Sequence, residues 1–380
     1  SRRLSKRELQ QLQDAYIWLD WFSIPQETSR LMDLTEDAEL MDQMDQVQTD
    51  SGDRTPQSSA DFSHFPSLRS PTSLTNQDLY ISSIPFFVEV SDIFVALVPH
   101  LYHQDTEEKC NFRSYLTRGW CRLEMWCSIL CIKADQPFLI VKGSDEVEFA
   151  TAMILTDRPP HEGLFTVEDD RNTIYYVMKR ALQNRISTLR RNGQWDMFRF
   201  TVARYETLLG DAAAKRTLNK FQREFAFDSL ESAKKIKGIG PVECAILSCD
   251  VGMIEYLASA GFELSRNVNA KINVEILQNG RSPLDFALEL CWRTPEVIEQ
   301  LVKCKANVHH VDQFGFSPLG ACKTVRDVEL LMKYGAEVNK TAGPMHISPL
   351  ALACVRGAPT EVVAKLIGLG AEVNPPCTGV

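Results

Sequence analysis

The spacing of apolar positions along the 380-residue chain changes period several times, and each change predicts an element. A polar helix over 6–14 leads into the β-rich run Tyr16-Ile17-Trp18-Leu19-Asp20-Trp21-Phe22. Ile84 to Val90 reads as an apolar helix or strand, and Asp92 to Pro99 as a buried strand bounded by proline. From Gly119 to Ile132 the period is helical, with Trp120, Leu123, Trp126, Cys127 and Leu130 on one face. Pro137 opens another short buried strand, Phe138-Leu139-Ile140-Val141, closed by Lys142-Gly143. This succession predicts an α/β layer on a parallel sheet. Residues 171–227 predict helices with Arg180, Arg185, Arg190 and Arg191 on a periodic apolar frame, for which a solvated basic face is the expectation.

A longer period governs the last third. Gly280-Arg281-Ser282-Pro283-Leu284 begins a segment that ends in Ala306-Asn307-Val308. Gly315-Phe316-Ser317-Pro318-Leu319 begins one that ends in Gly335-Ala336-Glu337-Val338-Asn339, and Ile347-Ser348-Pro349-Leu350 one that ends in Gly370-Ala371-Glu372-Val373-Asn374. A degenerate first copy runs from Gly238-Ile239-Gly240-Pro241-Val242 to Gly261-Phe262-Glu263-Leu264. In the last three copies the Ser hydroxyl is placed to cap a first helix, and Pro suits that helix's first turn because its missing N–H would be unpaired there anyway. Small Ala287, Ala321 and Ala353 allow close helix packing, and Gly335 and Gly370 supply a left-handed turn after the second helix. With prolines recurring near the ~33-residue ankyrin period, residues 235–374 resemble the ankyrin-repeat family.

That resemblance implies an all-α solenoid of about four repeats over 235–380, without chemistry of its own, whose hairpins and inner helices bind a partner, usually a protein. Docking on the chain's own N-terminal domain is the competing expectation. Two departures stand out. The usual His of the Thr-Pro-Leu-His motif is replaced by Asp285, Gly320 and Ala351, which predicts loss of a side-chain link between neighbours. The third copy is short between its helices and should distort the stack locally.

Composition narrows the function classes. Hydrophobic residues make up 44% and charged residues 24%, as in globular protein, but 29–75 crowds Asp33, Glu36, Asp37, Glu39, Asp42, Asp45, Asp50 and Asp53 ahead of a Ser/Pro/Thr-rich stretch. Such a segment cannot bury enough apolar surface to offset chain entropy, so it is expected to be a disordered insertion. The net charge of −9 counts against nucleic-acid binding. The most apolar stretch, Ile84 to Leu101, is broken by Pro85, Glu89, Asp92 and Pro99, so no membrane span is expected. Eleven scattered cysteines, an odd number, read as free thiols in a reducing, cytoplasmic setting. The chain opens at Ser1 with no signal-type apolar core, and Pro375-Pro376 is followed by no capping helix, so a fragment whose array continues is expected.

The segments Ile17 to Gln26, Ser83-Ile84-Pro85 to Leu97, and Arg118-Gly119-Trp120-Cys121-Arg122-Leu123-Glu124 occur in an order that resembles the Toll/interleukin-1-receptor (TIR) fold and the related heterokaryon-incompatibility domain. The likeness spans about 10–145, giving an incomplete TIR-like domain over 1–28 and 76–156, then a helical connector over 157–234. The family's opening strand would lie before Ser1, and the insertion sits where its short mobile loop should be. Ligands of open parallel sheets settle beyond the carboxyl ends of the strands, here Asp20 to Gln26 and Pro99 to His103. In nucleotide-cleaving relatives the Glu of Trp-Cys-x-x-Glu contacts the nicotinamide ribose. The resemblance therefore implies Glu124 as the catalytic residue of an NAD hydrolase, beside Asp20 and Trp120 in nucleotide binding, with NAD as substrate and no cofactor. A carboxylate there would stabilise an oxocarbenium-like transition state. A scaffold that self-associates through this domain and recruits a protein through the repeats is the leading expectation; NAD cleavage is the alternative. Cys121, Cys127 and Cys131 with His100 and His103 lack metal-site spacing and read as core, so no metal is expected.

Overall fold

The computed structural model describes residues 76–103, 107–130, 138–149, 158–268, 281–291, 294–312, 315–341 and 346–373. Asp20, the β-rich run around it and the acidic insertion lie outside the described residues. The chain divides into two units, Arg3–Phe87 and a second that holds Val88–Val380 with Ser1–Arg2. Of the first, the described part belongs to helix α1 (Asn76–Val90), where the sequence left helix and strand open.

The second unit begins with strand β1 (Phe94–Leu97), followed by a hairpin of β2 (Leu101–Tyr102) and β3 (Lys109–Cys110), short helix α2 (Phe112–Tyr115) and helix α3 (Gly119–Leu130). Strand β4 (Phe138–Val141) pairs parallel with β1 in the register Phe94–Phe138 to Leu97–Val141. Strand β5 (Val147–Phe149) then pairs antiparallel with β4, giving the order β1-β4-β5. The sheet is therefore mixed, a correction to the parallel sheet expected. The turn Lys142–Glu146 is closed by the Lys142 N–H on Glu146 O at 2.9 Å, and so short a link can only reverse the chain. Lys142 braces the hairpin through Glu148 at 2.7 Å.

Helices dominate from there. Helix α4 (Asp170–Arg191) is followed by α5 (Trp195–Ala203), α6 (Tyr205–Leu209), α7 (Leu218–Glu224) and α8 (Leu230–Ala233). Four helix pairs succeed them: α9 (Pro241–Leu247) with α10 (Val251–Ser259), α11 (Pro283–Leu290) with α12 (Pro295–Lys303), a 3-10 turn (Pro318–Ala321) with α13 (Val325–Lys333), and α14 (Pro349–Val355) with α15 (Thr360–Gly368). One buried apolar cluster runs from Leu189 to Ala371, so the helices after α4 share their core with the pairs.

Of the arginines expected on a solvated face, Arg190 and Arg191 are exposed and Arg180 is half-buried, while Arg185 is buried. Arg199, Arg204 and Arg216, further along, are buried as well. A guanidinium tolerates this where carbonyls or carboxylates saturate its donors. Arg199 donates to Phe225 O at 3.2 Å and to Ala226 O and Ile239 O at 3.4 Å, while Arg204 donates to Leu290 O at 3.1 Å. Arg216 bridges Glu206 at 2.7 Å and Glu224 at 2.8 Å. Asp196 accepts the Ile239 N–H at 2.9 Å, fixing the entry to α9. Among the described residues no helix is long and apolar enough to cross a membrane.

Candidate functional site

Helix α3 carries Glu124, and glycines decide how it sits. It packs on α4 and on a 3-10 turn at Pro160–Glu162. A Cβ on Gly119 would lie 2.1 Å from the Phe165 ring, and one on Gly163 would lie 2.3 Å from Gly119 Cα. Only hydrogen side chains permit that approach. The contact is sealed by Gly119 N–H to Leu164 O (3.0 Å) and Leu164 N–H to Thr117 O (2.7 Å).

On this helix Leu123, Trp126, Cys127 and Leu130 are buried as the periodicity predicts, while Trp120 and Glu124 are half-buried. The Trp120 indole N–H donates to Asp170 Oδ2 at 2.9 Å, and that of Trp126 to Arg158 O at 3.0 Å. Trp120, implied as a nucleotide contact, is thus tied to the start of α4. Arg122 donates to Leu116 O at 2.7 Å and to Pro159 O at 3.1 Å. Past the carboxyl end of β1 the chain turns into the β2–β3 hairpin, and Phe112 and Tyr115 of α2 pack on Ala96, Val98 and Ile140. His100 and His103 are exposed, and the described residues contain no group of His, Cys, Asp or Glu arranged to hold a metal ion.

The helix pairs use the repeated residues as caps and turns. Ser282 caps α11 through Asp285 N–H (3.4 Å), and the Asp285 carboxylate accepts the Ser282 N–H in return (2.9 Å). Ser348 caps α14 through Ala351 N–H at 3.2 Å. Pro283, Leu284, Pro318, Leu319, Pro349 and Leu350 are all buried. Gly335 and Gly370 adopt φ of 93° and 92°, left-handed values that suit glycine. Ser317 makes no side-chain cap bond, a correction to its expected role. Its copy reaches Thr324, the cap of α13, only three residues after its first turn ends, leaving room for the four-residue 3-10 turn and no α-helix. The local distortion expected for this copy takes that form.

Replacing the family histidine does not remove the link at Asp285. Its carboxylate lies 3.0 Å from His310 Nδ1, and His310 Nε2 is 2.9 Å from Asn267 Oδ1, joining the loops of successive pairs. Gly320 also has a packing role: a Cβ there would meet Leu352 Cδ2 at 2.7 Å. A buried charge cluster, invisible to the periodicity, lies beside the short third copy. Arg281 and Arg356 both contact Glu289, and Phe316 lies within 5.6 Å and 5.3 Å of the two guanidinium centres. Arg356 thereby reaches from the fourth pair to the second, past a third whose first helix is missing a turn. Burial, reinforced by the Arg281 charge, holds the Arg356 guanidinium down at about 9.

The last pair presents a different outer face from the second. Glu289 is 4% exposed, whereas Val355 at the matching position is 83% exposed. Val302 and Val308 are 2% and 8% exposed, but their counterparts Ile367 and Val373 are 46% and 64% exposed. The second pair buries these positions, the third half-buries its equivalents, and the fourth leaves them apolar and exposed. No protein-family model matches this chain, and no curated protein matches it.

Proposed function

We propose that the chain is a protein-interaction scaffold: an ankyrin-type array selects a partner protein, while the TIR-like domain associates with like domains. The observation that carries this reading is the set of exposed apolar side chains on the fourth helix pair. Val355, Ile367 and Val373 are each exposed at positions whose equivalents are buried in the second pair. Exposed apolar surface, where it is contiguous, marks interaction sites in soluble proteins. Buried arginine anchors and a continuous core add a rigid platform behind that face, which limits the ordering entropy lost on binding.

The alternative, NAD cleavage at Glu124, would require Trp120 to line a nicotinamide pocket. Its indole bond to Asp170 supports the scaffold instead. The test has two arms on the full chain. Affinity purification from cells, with Val355→Asp as control, should retain a specific protein that the variant loses. Incubation with NAD should release no nicotinamide. Equal retention by wild type and variant would contradict the binding face, and nicotinamide release abolished by Glu124→Ala would make the chain an enzyme.

A further inference from the structure

A cleft of about 210 Å³ opens on the first helix pair, between the chain entering α9 and the turn that leaves α10. Ile236, Val242 and Phe262 contribute apolar walls, and Lys234, Glu243, Glu263 and Arg266 contribute its charged lining. Glu243 is fully buried, and its two carboxylate oxygens are treated unequally. Oε2 accepts the Gly240 N–H at 2.9 Å and a bond from Arg266 Nη2. The same guanidinium donates to Ile236 O and Gly238 O, both at 2.8 Å. Oε1 has no hydrogen-bond partner among the described residues. A buried carboxylate oxygen left without a donor costs free energy, which a donor arriving from outside restores.

The other charges of the lining are settled except for one. Lys234 pairs with Glu231 at 3.0 Å, and its ammonium lies 5.5 Å from the centre of the Phe262 ring. Arg266 is taken up by Glu243 and two carbonyls. Glu263 is exposed and has no cation paired with it among the described residues. The cleft therefore offers two open carboxylate acceptors, an aromatic ring that already holds an ammonium, and apolar walls. Its match is one compact positive donor on an apolar stem. A guanidinium suits it less, because that planar fork is best met by two acceptors side by side. A free amino acid would bring a carboxylate, and both cations of the lining are already paired.

We propose that this cleft takes a lysine side chain of a partner protein. The lysine methylenes lie against Ile236, Val242 and Phe262, and the ammonium donates to Glu243 Oε1 and to Glu263. Assigning the lysine to a protein rests on the interaction role proposed above; the ammonium chemistry rests on the cleft alone. Long cationic side chains bury their stems in this way while the charged head finds polar partners.

The probe is acetyl-Ala-Lys-Ala-amide, titrated into the full chain with labelled Ile and Val methyl groups. Saturable shifts of the Ile236 and Val242 resonances are expected, with a dissociation constant on the order of 1 mM. The same peptide with norleucine for lysine, which keeps the stem and lacks the ammonium, should bind about tenfold more weakly. Glu243→Gln should weaken the lysine peptide and leave the norleucine peptide unchanged. Glu263→Gln, on an exposed side chain, should do the same to a smaller degree and carries the test if Glu243→Gln does not fold. Equal binding of the two peptides, indifference to Glu263→Gln, or no shift at about 10 mM lysine peptide would overturn the site. Binding of butylamine where the lysine peptide does not bind would overturn the assignment to a protein partner and leave a pocket for free amines.

Discussion

The sheet of the second unit and the helix pairs that follow it are built from similarly apolar sequence, yet they bury it differently. Around β1 and β4 the buried cluster is Ala96, Val98 and Ile140, with Val95 and Leu97 left exposed on β1. The helix pairs instead thread one core from Leu189 to Ala371, each pair packed on the next and the first packed on α5. Quasi-one-dimensional stacking spreads stability along the array, whereas a three-stranded sheet concentrates it in few contacts. The difference places rigidity in the helix pairs and lower local stability around the strands.

The comparison breaks most severely where the array core is emptied. Leu284→Ala, at a fully buried position, should destabilise by about 2–5 kcal/mol, while Leu97→Ala on exposed β1 should fall within about 0.5 kcal/mol of wild type in urea denaturation. Gly320→Ala should cost about 1–3 kcal/mol, because the new methyl meets Leu352, and Leu352→Ala should relieve part of that cost in a double-mutant cycle. Ser282→Ala should lose about 1 kcal/mol, whereas Ser317→Ala, which removes no cap bond, should be nearly silent in the same assay. The smallest effect concerns pH. Burial raises the Asp327 carboxyl above its ordinary value, so the stability tied to its neutral form is present below the unfolded value and is lost as pH rises through the folded one. Asp327→Asn should flatten that part of the pH–stability curve and leave the Thr324 cap in place.

Local rules made the repeat edges readable. Ser282, Ser348, Gly335 and Gly370 act through neighbours a few residues away, so a pattern of caps and left-handed turns suffices to find them. The same logic overreached at Ser317, because a cap needs a helix behind it; the shortness of that copy before Thr324 was the visible warning. The antiparallel β5 had its own signal in Gly143-Ser144-Asp145, a turn too brief for a crossover. What the periodicity could not show is pairing across copies. Asp285 reads as a lost histidine until His310 is beside it, and Glu289 as a stray charge until Arg281 and Arg356 converge on it. Near Glu124, the motif carried a resemblance, but the anchoring of Trp120 by Asp170 depends on a helix fifty residues further on.

The central claim is that the last helix pair presents a partner-binding face. A photo-cross-linking amino acid placed at 355 in the full chain, with another at exposed Glu255 on the first pair as control, tests it most directly in cells. The account predicts a discrete cross-linked protein from position 355 that is absent from position 255 and is lost when Ile367→Asp is added. Cross-links of equal pattern from both positions, or none from 355 in a folded protein, would contradict it.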